Sequence, residues 1–281
     1  LLFGALISPT DPIAVLGILK DANTPKKLEI KIVGETLFND GVGVVVFLVL
    51  LSIAQRGIAS VDAEDIGFLF FEEVIGGLAL GLLMGWLGFK IMKSIDHYET
   101  EVLITIALVM GIHALAVYLH FSGPLAVVVA GIFIGNKSPE VAWSDSTKLY
   151  VDKFWELVDV FLYAILFVLI GFELLIITIN GEYILLGLLA IPVTLIARYL
   201  ALKGPIVFFN KRLEFIPKTD LIMTWGGIRG GISIALALSL EPQMERELFL
   251  TVTYVVVVFS IIFQGLTIGK LVKRILAKQK E

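Results

Sequence analysis

The chain has 281 residues, of which 58% are hydrophobic and 17% charged, and its mean hydropathy is +0.94. A soluble domain of this size could not cover so much apolar surface, so the composition excludes a soluble protein and indicates an integral membrane protein. The formal net charge of −4 is small, and the absence of Cys excludes a disulfide framework and thiol chemistry.

Uninterrupted apolar stretches recur along the whole chain, each near the ~20 residues that a helix needs to cross a ~30 Å hydrocarbon core. Strand-like alternation of apolar and polar residues is absent, so helices are expected to span the membrane. The pattern predicts an all-α polytopic membrane protein with about nine transmembrane helices. The predicted segments are 1–19, 32–54, 74–92, 102–119, 123–135, 158–179, 183–209, 221–240 and 248–276.

The first segment is interrupted by Ser8-Pro9-Thr10-Asp11-Pro12. Two prolines three residues apart remove two backbone donors and free carbonyl groups, so we expect the helix to break there. The chain begins with three apolar residues, without Met, a basic stretch or a cleavage pattern, and we therefore expect an N-terminally truncated fragment.

The second segment carries four polar side chains. On a helix Glu35 stacks with Asn39 and Thr36 stacks with Asp40, which gives two adjacent polar stripes. An ionisable group inside a membrane costs at least ~2.5 kcal/mol, so Asp40 is a candidate for function. Hydroxyl, amide and carboxylate oxygens suit a hard monovalent cation, and the break at Thr10 can add carbonyl groups. Burial disfavours the charged carboxylate, so protons are expected to compete with the cation near physiological pH.

The middle of the chain contains two less regular stretches. The fifth segment is short, and Gly123-Pro124 either bends it or marks the start of a helix. Residues 138–156 place aromatic residues among charges, which predicts an amphipathic cytoplasmic helix lying at the membrane interface.

The seventh and eighth segments bring two arginines into the membrane. Arg198 requires a counter-charge, for which we expect Glu35; the alternative is that Arg198 extends to the interface. In Trp225-Gly226-Gly227-Ile228-Arg229-Gly230-Gly231, four glycines permit unwinding around Arg229, which is expected to brace the unwound backbone by bonding Asp11 or carbonyl groups.

Two interrupted spans, each with an ionisable residue, are the sequence pattern of a transporter site near the membrane midplane. The alternative is that the prolines only kink one helix and the glycines only allow close packing.

Lys and Arg divide between the two sides of the membrane if nine segments alternate in direction. All fall on one side except Arg56 and Arg246, on the other side, and Arg198 and Arg229, within spans. The positive-inside rule makes the first side, and with it the C-terminus, cytoplasmic.

These motifs together resemble one family, the monovalent cation:proton antiporters of the first family, the NhaP and NHE type of sodium/proton exchanger. The resemblance rests on the order and spacing of Thr10-Asp11-Pro12, Glu35 with Asn39-Asp40, Arg198 and Gly226-Gly227-Ile228-Arg229-Gly230, together with the stretch 121–131. It implies an inverted-repeat antiporter fold in which two broken helices cross, an adjoining dimerisation domain, and alternating access. The resemblance implies three parts of the chain. The core ion-transport domain consists of 1–54 and 183–276. The scaffold and dimerisation helices, with the interfacial helix, lie in 66–180, and the cytoplasmic tail is 277–281.

The resemblance also implies roles for single residues. Asp40 would bind the cation or the proton, Glu35 and Arg198 would form a stabilising ion pair, and an Asn-Asp pair suggests electroneutral exchange of one cation for one proton. The other implied members of the cation and proton site are Asn39, Thr36, Thr10 and Asp11. Of these, Thr36 and the backbone of Thr10 would coordinate the cation together with Asp40, and Asn39 would order the site. The implied supports of the broken helices are Pro9, Pro12, Gly227, Arg229 and Gly230.

The resulting expectation is a monovalent cation:proton antiporter of a prokaryotic inner membrane that acts in pH and sodium homeostasis. It would carry Na⁺, K⁺ or Li⁺ against protons, use no cofactor, catalyse no enzymatic reaction, form a homodimer in the lipid bilayer, and bind no nucleic acid. Family members usually have about four more helices before the broken one, so the chain by itself is not expected to transport.

Two other functions stay open on the sequence. A cation channel would line a pore with the same acids, although no repeated filter sequence appears. A transport-inactive ion or pH sensor would keep the fold without exchange. An intramembrane hydrolase is disfavoured, because the chain has no His-Glu-x-x-His pattern and no Cys.

Overall fold

The structure is a computed structural model that describes residues 1–11, 24–56, 63–95, 97–141, 143–176, 180–213 and 215–277. These residues form helices and connecting turns, and no strand occurs among them. The all-α fold class predicted from the sequence is therefore confirmed. Pro12 and the last four residues of the predicted tail lie outside the described residues.

Helices account for each apolar segment over the described ranges. They are α1 (Leu2–Ile7), α2 (Lys26–Arg56), α3 (Ala63–Met92), α4 (Tyr98–Tyr118), α5 (Gly123–Val141), α6 (Asp145–Ile176), α7 (Gly181–Leu213), α8 (Thr219–Trp225), α9 (Gly231–Leu238), α10 (Arg246–Phe259) and α11 (Gly265–Ala277), with a 3₁₀ turn at Pro242–Met244 and a π turn at Ser260–Gln264.

Five stretches of the described residues are helical, long and apolar enough to cross a membrane. They are Lys26–Gln55, Phe71–Met92, Tyr98–Tyr118, Gly181–Asn210 and Arg246–Ala277, and Gly123–Ser138 is a shorter apolar helix. The number of nine spans stays a prediction, because parts of the predicted segments lie outside the described residues and other segments are divided into shorter helices.

Two details of the middle of the chain differ from or resolve the expectations. The predicted separate interfacial helix over 138–156 is wrong: its first residues end α5, and residues 145–156 form the first turns of the long helix α6. The physical reason is that neither Gly nor Pro occurs between Asp145 and Ile170, so nothing ends the helix before it enters the apolar part. Gly123-Pro124 marks a helix start, because α5 begins there and the Pro124 ring occupies the first turn.

The described residues fall into two compact units, Leu1–Gly43 with Ile170–Glu281, and Val44–Leu169. The second unit contains α3, α4 and α5, which pack through small residues. A Cβ at Gly81 would collide with the carbonyl oxygen of Ala126, and one at Gly85 would lie 3.1 Å from the Cα of Ala130. Small residues at these crossings let the backbones approach closely, as is usual between helices in a membrane.

The first unit contains α1, the first part of α2, and α7 to α11. Its core is built from Leu28 and Ile32 of α2, Ile222 of α8, and Ile268 and Val272 of α11, all at most 4% exposed. On α7, by contrast, large apolar side chains point outward, including Leu185, Val193 and Leu200. Apolar side chains on the outside are stable next to lipid, so they need not be buried in the protein. The interior of this unit is therefore available for the polar groups of both breaks.

The predicted domain boundaries stay a prediction.

Candidate functional site

In the described part of the first predicted segment, α1 ends at Ile7 and residues 8–11 are not helical; these four residues are called the first break below. The prolines explain this, since a Pro nitrogen has no hydrogen to continue a helical ladder. Thr10 and Asp11 are both buried in spite of being polar. Buried backbone groups outside a helix require partners from elsewhere in the chain, and α2 and Ile228 supply them.

Asp40 and Thr36 of α2 contact Thr10. The backbone N–H of Thr10 donates a hydrogen bond to Asp40 Oδ1 at 2.8 Å, and the Thr10 hydroxyl lies 3.3 Å from the Thr36 hydroxyl. Thr36 and Asp40 are one helical turn apart, so one stripe of α2 faces one residue of the break. The amide of Thr10 donates and so is not a cation ligand; the oxygens brought together here are the Asp40 carboxylate and the two threonine hydroxyls.

Asn39 lies on the neighbouring stripe and contacts the residue before Pro9. Its Nδ2 donates to the carbonyl oxygen of Ser8 at 2.7 Å. A Cβ at Gly43, one turn further along α2, would lie 2.8 Å from the Ser8 hydroxyl oxygen and 3.3 Å from Cγ of Pro9. The amide of Asn39 thus holds the backbone of the break against α2, where the absence of a side chain at Gly43 leaves room for it.

Glu35 and Arg198 form a two-pronged ion pair. Nη1 of Arg198 lies 3.2 Å from Oε1 of Glu35, and Nη2 lies 2.9 Å from Oε2. The Arg198 side chain is 8% exposed and the Glu35 side chain is 23% exposed. Arg198 is therefore directed at its counter-charge and does not extend to the interface, which was the alternative. Removing one member of such a pair leaves a buried charge without compensation.

Arg198 also fixes the second broken helix. Its Nε donates to the carbonyl oxygen of Met223 at 3.1 Å, and a Cβ at Gly227 would collide with the guanidinium group. Only glycine therefore leaves room for the Arg198 side chain at position 227.

The second break spans the residues between α8, which ends at Trp225, and α9, which begins at Gly231. Arg229 lies in it with 7% exposure, and its Nη1 donates to the carbonyl oxygens of Ser8 and, at 3.3 Å, Pro9. Of the two partners expected for Arg229, carbonyl groups accept these bonds. Its positive charge therefore lies next to the C-terminal end of α1, where the helix dipole is negative.

The two breaks contact each other through their backbones. The N–H of Asp11 donates to the carbonyl oxygen of Ile228 at 2.7 Å, and a Cβ at Gly230 would lie 2.9 Å from Cβ of Asp11. Of the predicted site residues, the structure brings together Asp40, Thr36, Thr10 and Asn39, and it places Asp11, Arg229 and Gly230 where the breaks meet. Pro9 belongs to the same junction.

Sequence analysis missed two residues, Ser260 and Gln264. Both are buried beside the second break, at 0% and 2% exposure. The signal was present, since they are polar residues one turn apart within the apolar stretch 255–266. A cavity of about 540 Å³ is lined by Leu221, Thr224, Trp225, Thr267, Lys270, Leu271 and Arg274, and none of these is a predicted cation ligand.

Comparison with known proteins identifies the family. Residues 1–274 match the family described as sodium/hydrogen exchanger, transmembrane. The chain belongs to the sodium/hydrogen exchanger family. The resemblance inferred from the motifs is thereby confirmed.

Named relatives of this exchanger-family chain include two bacterial proteins. The chain is 51% identical over 285 residues to the Na⁺/H⁺ antiporter NhaP of Pseudomonas aeruginosa, which covers 99% of this chain and 66% of that protein. It is 36% identical over 279 residues to the Na⁺/H⁺ antiporter NhaH of Halobacillus dabanensis, covering 97% of this chain and 68% of that protein. The chain thus spans about two thirds of the length of the Pseudomonas relative.

A solved structure shares the exchanger fold. The sodium proton antiporter MjNhaP1 from Methanocaldococcus jannaschii superposes with a TM-score of 0.78 at 22% identity, over 98% of this chain and 70% of that chain. The predicted antiporter fold is confirmed by this likeness.

Proposed function

We propose that the whole protein is an antiporter that exchanges Na⁺ for protons by alternating access, and that Asp40 is the group for which the two ions compete. The observation that carries the proposal is the hydrogen bond of 2.8 Å from the Thr10 amide to Asp40, which joins an ionisable carboxylate of α2 to a broken membrane helix. Both bacterial relatives are named Na⁺/H⁺ antiporters, which supports the choice of ions.

The chemistry of exchange at such a site is competition for one carboxylate. With its proton, Asp40 is neutral and attracts no cation. Without it, the carboxylate and the hydroxyls of Thr10 and Thr36 offer oxygens that suit a hard monovalent ion. A cation therefore replaces a proton at Asp40, and a proton replaces the cation on the return.

The stoichiometry follows from the second carboxylate of α2. Glu35 is held by Arg198 at two oxygens, and its charge is already compensated. Asp40 is then the one exchangeable carboxylate of the pair of stripes, so one cation moves against one proton and the exchange is electroneutral.

The junction of the two breaks is suited to alternating access. The residues of the two breaks bond across the junction: the Asp11 N–H donates to the Ile228 carbonyl oxygen, and the Arg229 guanidinium group donates to the Ser8 carbonyl oxygen. Interrupted helices that meet near a bound ion are the usual construction of secondary transporters. We place Glu35 with Arg198 and Gly227 as structural supports of this junction, and Asn39 as the residue that holds the first break on α2.

The wider expectations belong to the same proposal. The protein would lie in a bacterial plasma membrane, pair as a homodimer through helices of 66–180, and serve pH and sodium homeostasis. The exposed apolar side chains of α6, such as Val160, Phe161 and Leu169, support a surface for lipid or for a second copy.

The test is proton movement in proteoliposomes. The full-length protein is reconstituted with an internal pH gradient reported by a dequenching dye, the membrane potential is clamped at a series of values, and Na⁺, K⁺ and Li⁺ are added in turn at each value. Addition of Na⁺ is expected to dissipate the gradient with saturable kinetics that do not depend on the potential. A voltage-driven cation current without proton coupling would identify a channel instead, and folded protein that moves no proton with any of the cations would identify a sensor.

A further inference from the structure

A π turn lies beside the second break. Between α10 and α11 the N–H of Gly265 bonds to the carbonyl oxygen of Ser260, five residues back, so that the helix widens over Ser260–Gln264. Such turns are rare and occur frequently at functional sites. The residues at its two ends, Ser260 and Gln264, are buried polar side chains, and buried polar groups require hydrogen-bond partners.

The partners of both side chains are backbone groups of the second break. The Arg229 N–H donates to the Ser260 hydroxyl oxygen at 2.9 Å, the Ser260 hydroxyl donates to Oε1 of Gln264, and Nε2 of Gln264 donates to the carbonyl oxygen of Trp225 at 2.9 Å. The three bonds form one continuous relay from the residue that ends α8 to the arginine of the break.

The relay meets a specific need of a broken membrane helix. The carbonyl group of Trp225, at the end of α8, and the N–H of Arg229 are left without helical partners by the break. Water cannot satisfy such groups inside a bilayer, and unpaired groups there are costly. Ser260 and Gln264 therefore hold the backbone on both sides of the glycines.

The backbone that they hold carries Arg229, whose positive charge contacts the first break. Arg229 is bonded through its N–H to Ser260, while its guanidinium group reaches the carbonyl oxygens of Ser8 and Pro9. The Ser8 carbonyl also accepts from Asn39, and Thr10, two residues along, donates to Asp40. A shift of the Arg229 backbone would thus change the position of the first break next to Asp40.

We infer that Ser260 and Gln264 are positioning residues of the ion site, acting through Arg229. This inference rests on the proposed function for its effect on transport. The hydrogen bonds themselves can be tested without transport, so failure of one can be told from failure of the other.

The variants are Ser260→Ala and Gln264→Leu, each of which removes one member of the relay, and Ser260→Thr, which keeps the hydroxyl. The matched control is Thr253→Val in α10. Thr253 is fully buried on the preceding helix, and its hydroxyl has no hydrogen-bond partner among the described residues. The Thr253→Val substitution therefore removes a buried hydroxyl without removing a hydrogen bond to the second break.

Two measurements are made on the full-length protein. Hydrogen–deuterium exchange of the amides at 226–230 reports the second break directly. Loss of one hydrogen bond is expected to speed their exchange about tenfold in Ser260→Ala and Gln264→Leu, and not in Thr253→Val. In proteoliposomes the same two variants are expected to raise the apparent KM for the cation about tenfold, with a smaller effect on maximal rate, whereas Ser260→Thr keeps both near the unsubstituted values.

The double variant separates one relay from two independent bonds. Because both residues act through the same relay, Ser260→Ala with Gln264→Leu is expected to change exchange and KM by less than the product of the single effects. Full multiplicativity would contradict the relay.

Exchange at 226–230 that is no faster than in Thr253→Val would overturn the inference whether or not the protein transports. Faster exchange with an unchanged KM would overturn the positioning role. Absence of cation-dependent proton movement in the unsubstituted protein would contradict the proposed function, and with it the effect on KM, while the exchange data would still decide whether the relay holds the break.

Discussion

Asp40 is the residue on which exchange depends in the proposed function. In Asp40→Asn, the side-chain amide oxygen can still accept the hydrogen bond that the Thr10 N–H donates to Asp40 at 2.8 Å. The substitution removes the carboxylate, which is the group that binds a proton. We expect the variant to fold with an unchanged thermal midpoint and to lose cation-driven proton movement in proteoliposomes. The matched control is Asp145→Asn, which changes an exposed acid at the start of α6 and should transport normally. Transport at the unsubstituted rate in Asp40→Asn would refute the assignment.

The ion pair of Glu35 and Arg198 affects stability rather than exchange chemistry. Glu35→Gln leaves Arg198 buried without its counter-charge, and we expect a loss of about 3–5 kcal/mol in the free energy of unfolding. Thermal unfolding in detergent measures it. Glu156→Gln is the matched control, because the side chains of Lys153 and Glu156 are 67% and 65% exposed and such a pair should contribute little to stability.

A double variant decides whether the two residues act as a pair. Combining Glu35→Gln with Arg198→Met removes both charges, and the loss should be smaller than the sum of the single losses. Additive losses would count against the pair.

Gly227 is required because it has no side chain. A Cβ there would collide with the Arg198 guanidinium, so Gly227→Ala should push Arg198 away from Glu35 and lower the thermal midpoint about as much as Glu35→Gln does. Gly204→Ala is the control on the helix that carries Arg198, since a Cβ at Gly204 would meet nothing within 4 Å. A midpoint unchanged in Gly227→Ala would show that the close approach is not required.

At the scale of elements, the crossing of α3 and α5 depends on how closely their backbones approach. Gly81→Ala would place a Cβ against the carbonyl oxygen of Ala126, and overpacking of this kind costs about 1–3 kcal/mol. We expect a lower thermal midpoint for Gly81→Ala and no loss for Gly131→Ala, whose Cβ would point into open space on α5. Equal midpoints would mean that the helices can separate without loss.

At the scale of the whole molecule, the distribution of Lys and Arg predicts that the C-terminus is cytoplasmic. The chain has no Cys, so a single introduced Cys is the only thiol within it. In intact cells a membrane-impermeant maleimide should label Gln243→Cys, in the exposed 3₁₀ turn. The same reagent should leave Ala277→Cys unlabelled until the membrane is permeabilised. The reverse pattern would invert the topology.

Much of the fold was predictable from the sequence, because the bilayer acts on each segment locally. An apolar stretch of sufficient length must form a helix, and Pro9 or the glycines around Arg229 interrupt one whatever surrounds them. The pairing of Glu35 with Arg198 was also predictable, since a buried arginine requires an acid and few were available. The helix at 145–156 was misjudged, because its charged turns continue into an apolar helix without any residue that ends it.

The sequence by itself determined an all-helical membrane protein with two broken spans and the acids beside them. Only the tertiary structure decided which groups satisfy the breaks. The Thr10 amide donates to Asp40, Arg229 donates to the Ser8 carbonyl 221 residues away, and Ser260 with Gln264 completes the second break. The physical reason is that a break creates unpaired backbone groups locally, whereas their partners come from distant helices whose positions depend on how the whole core packs.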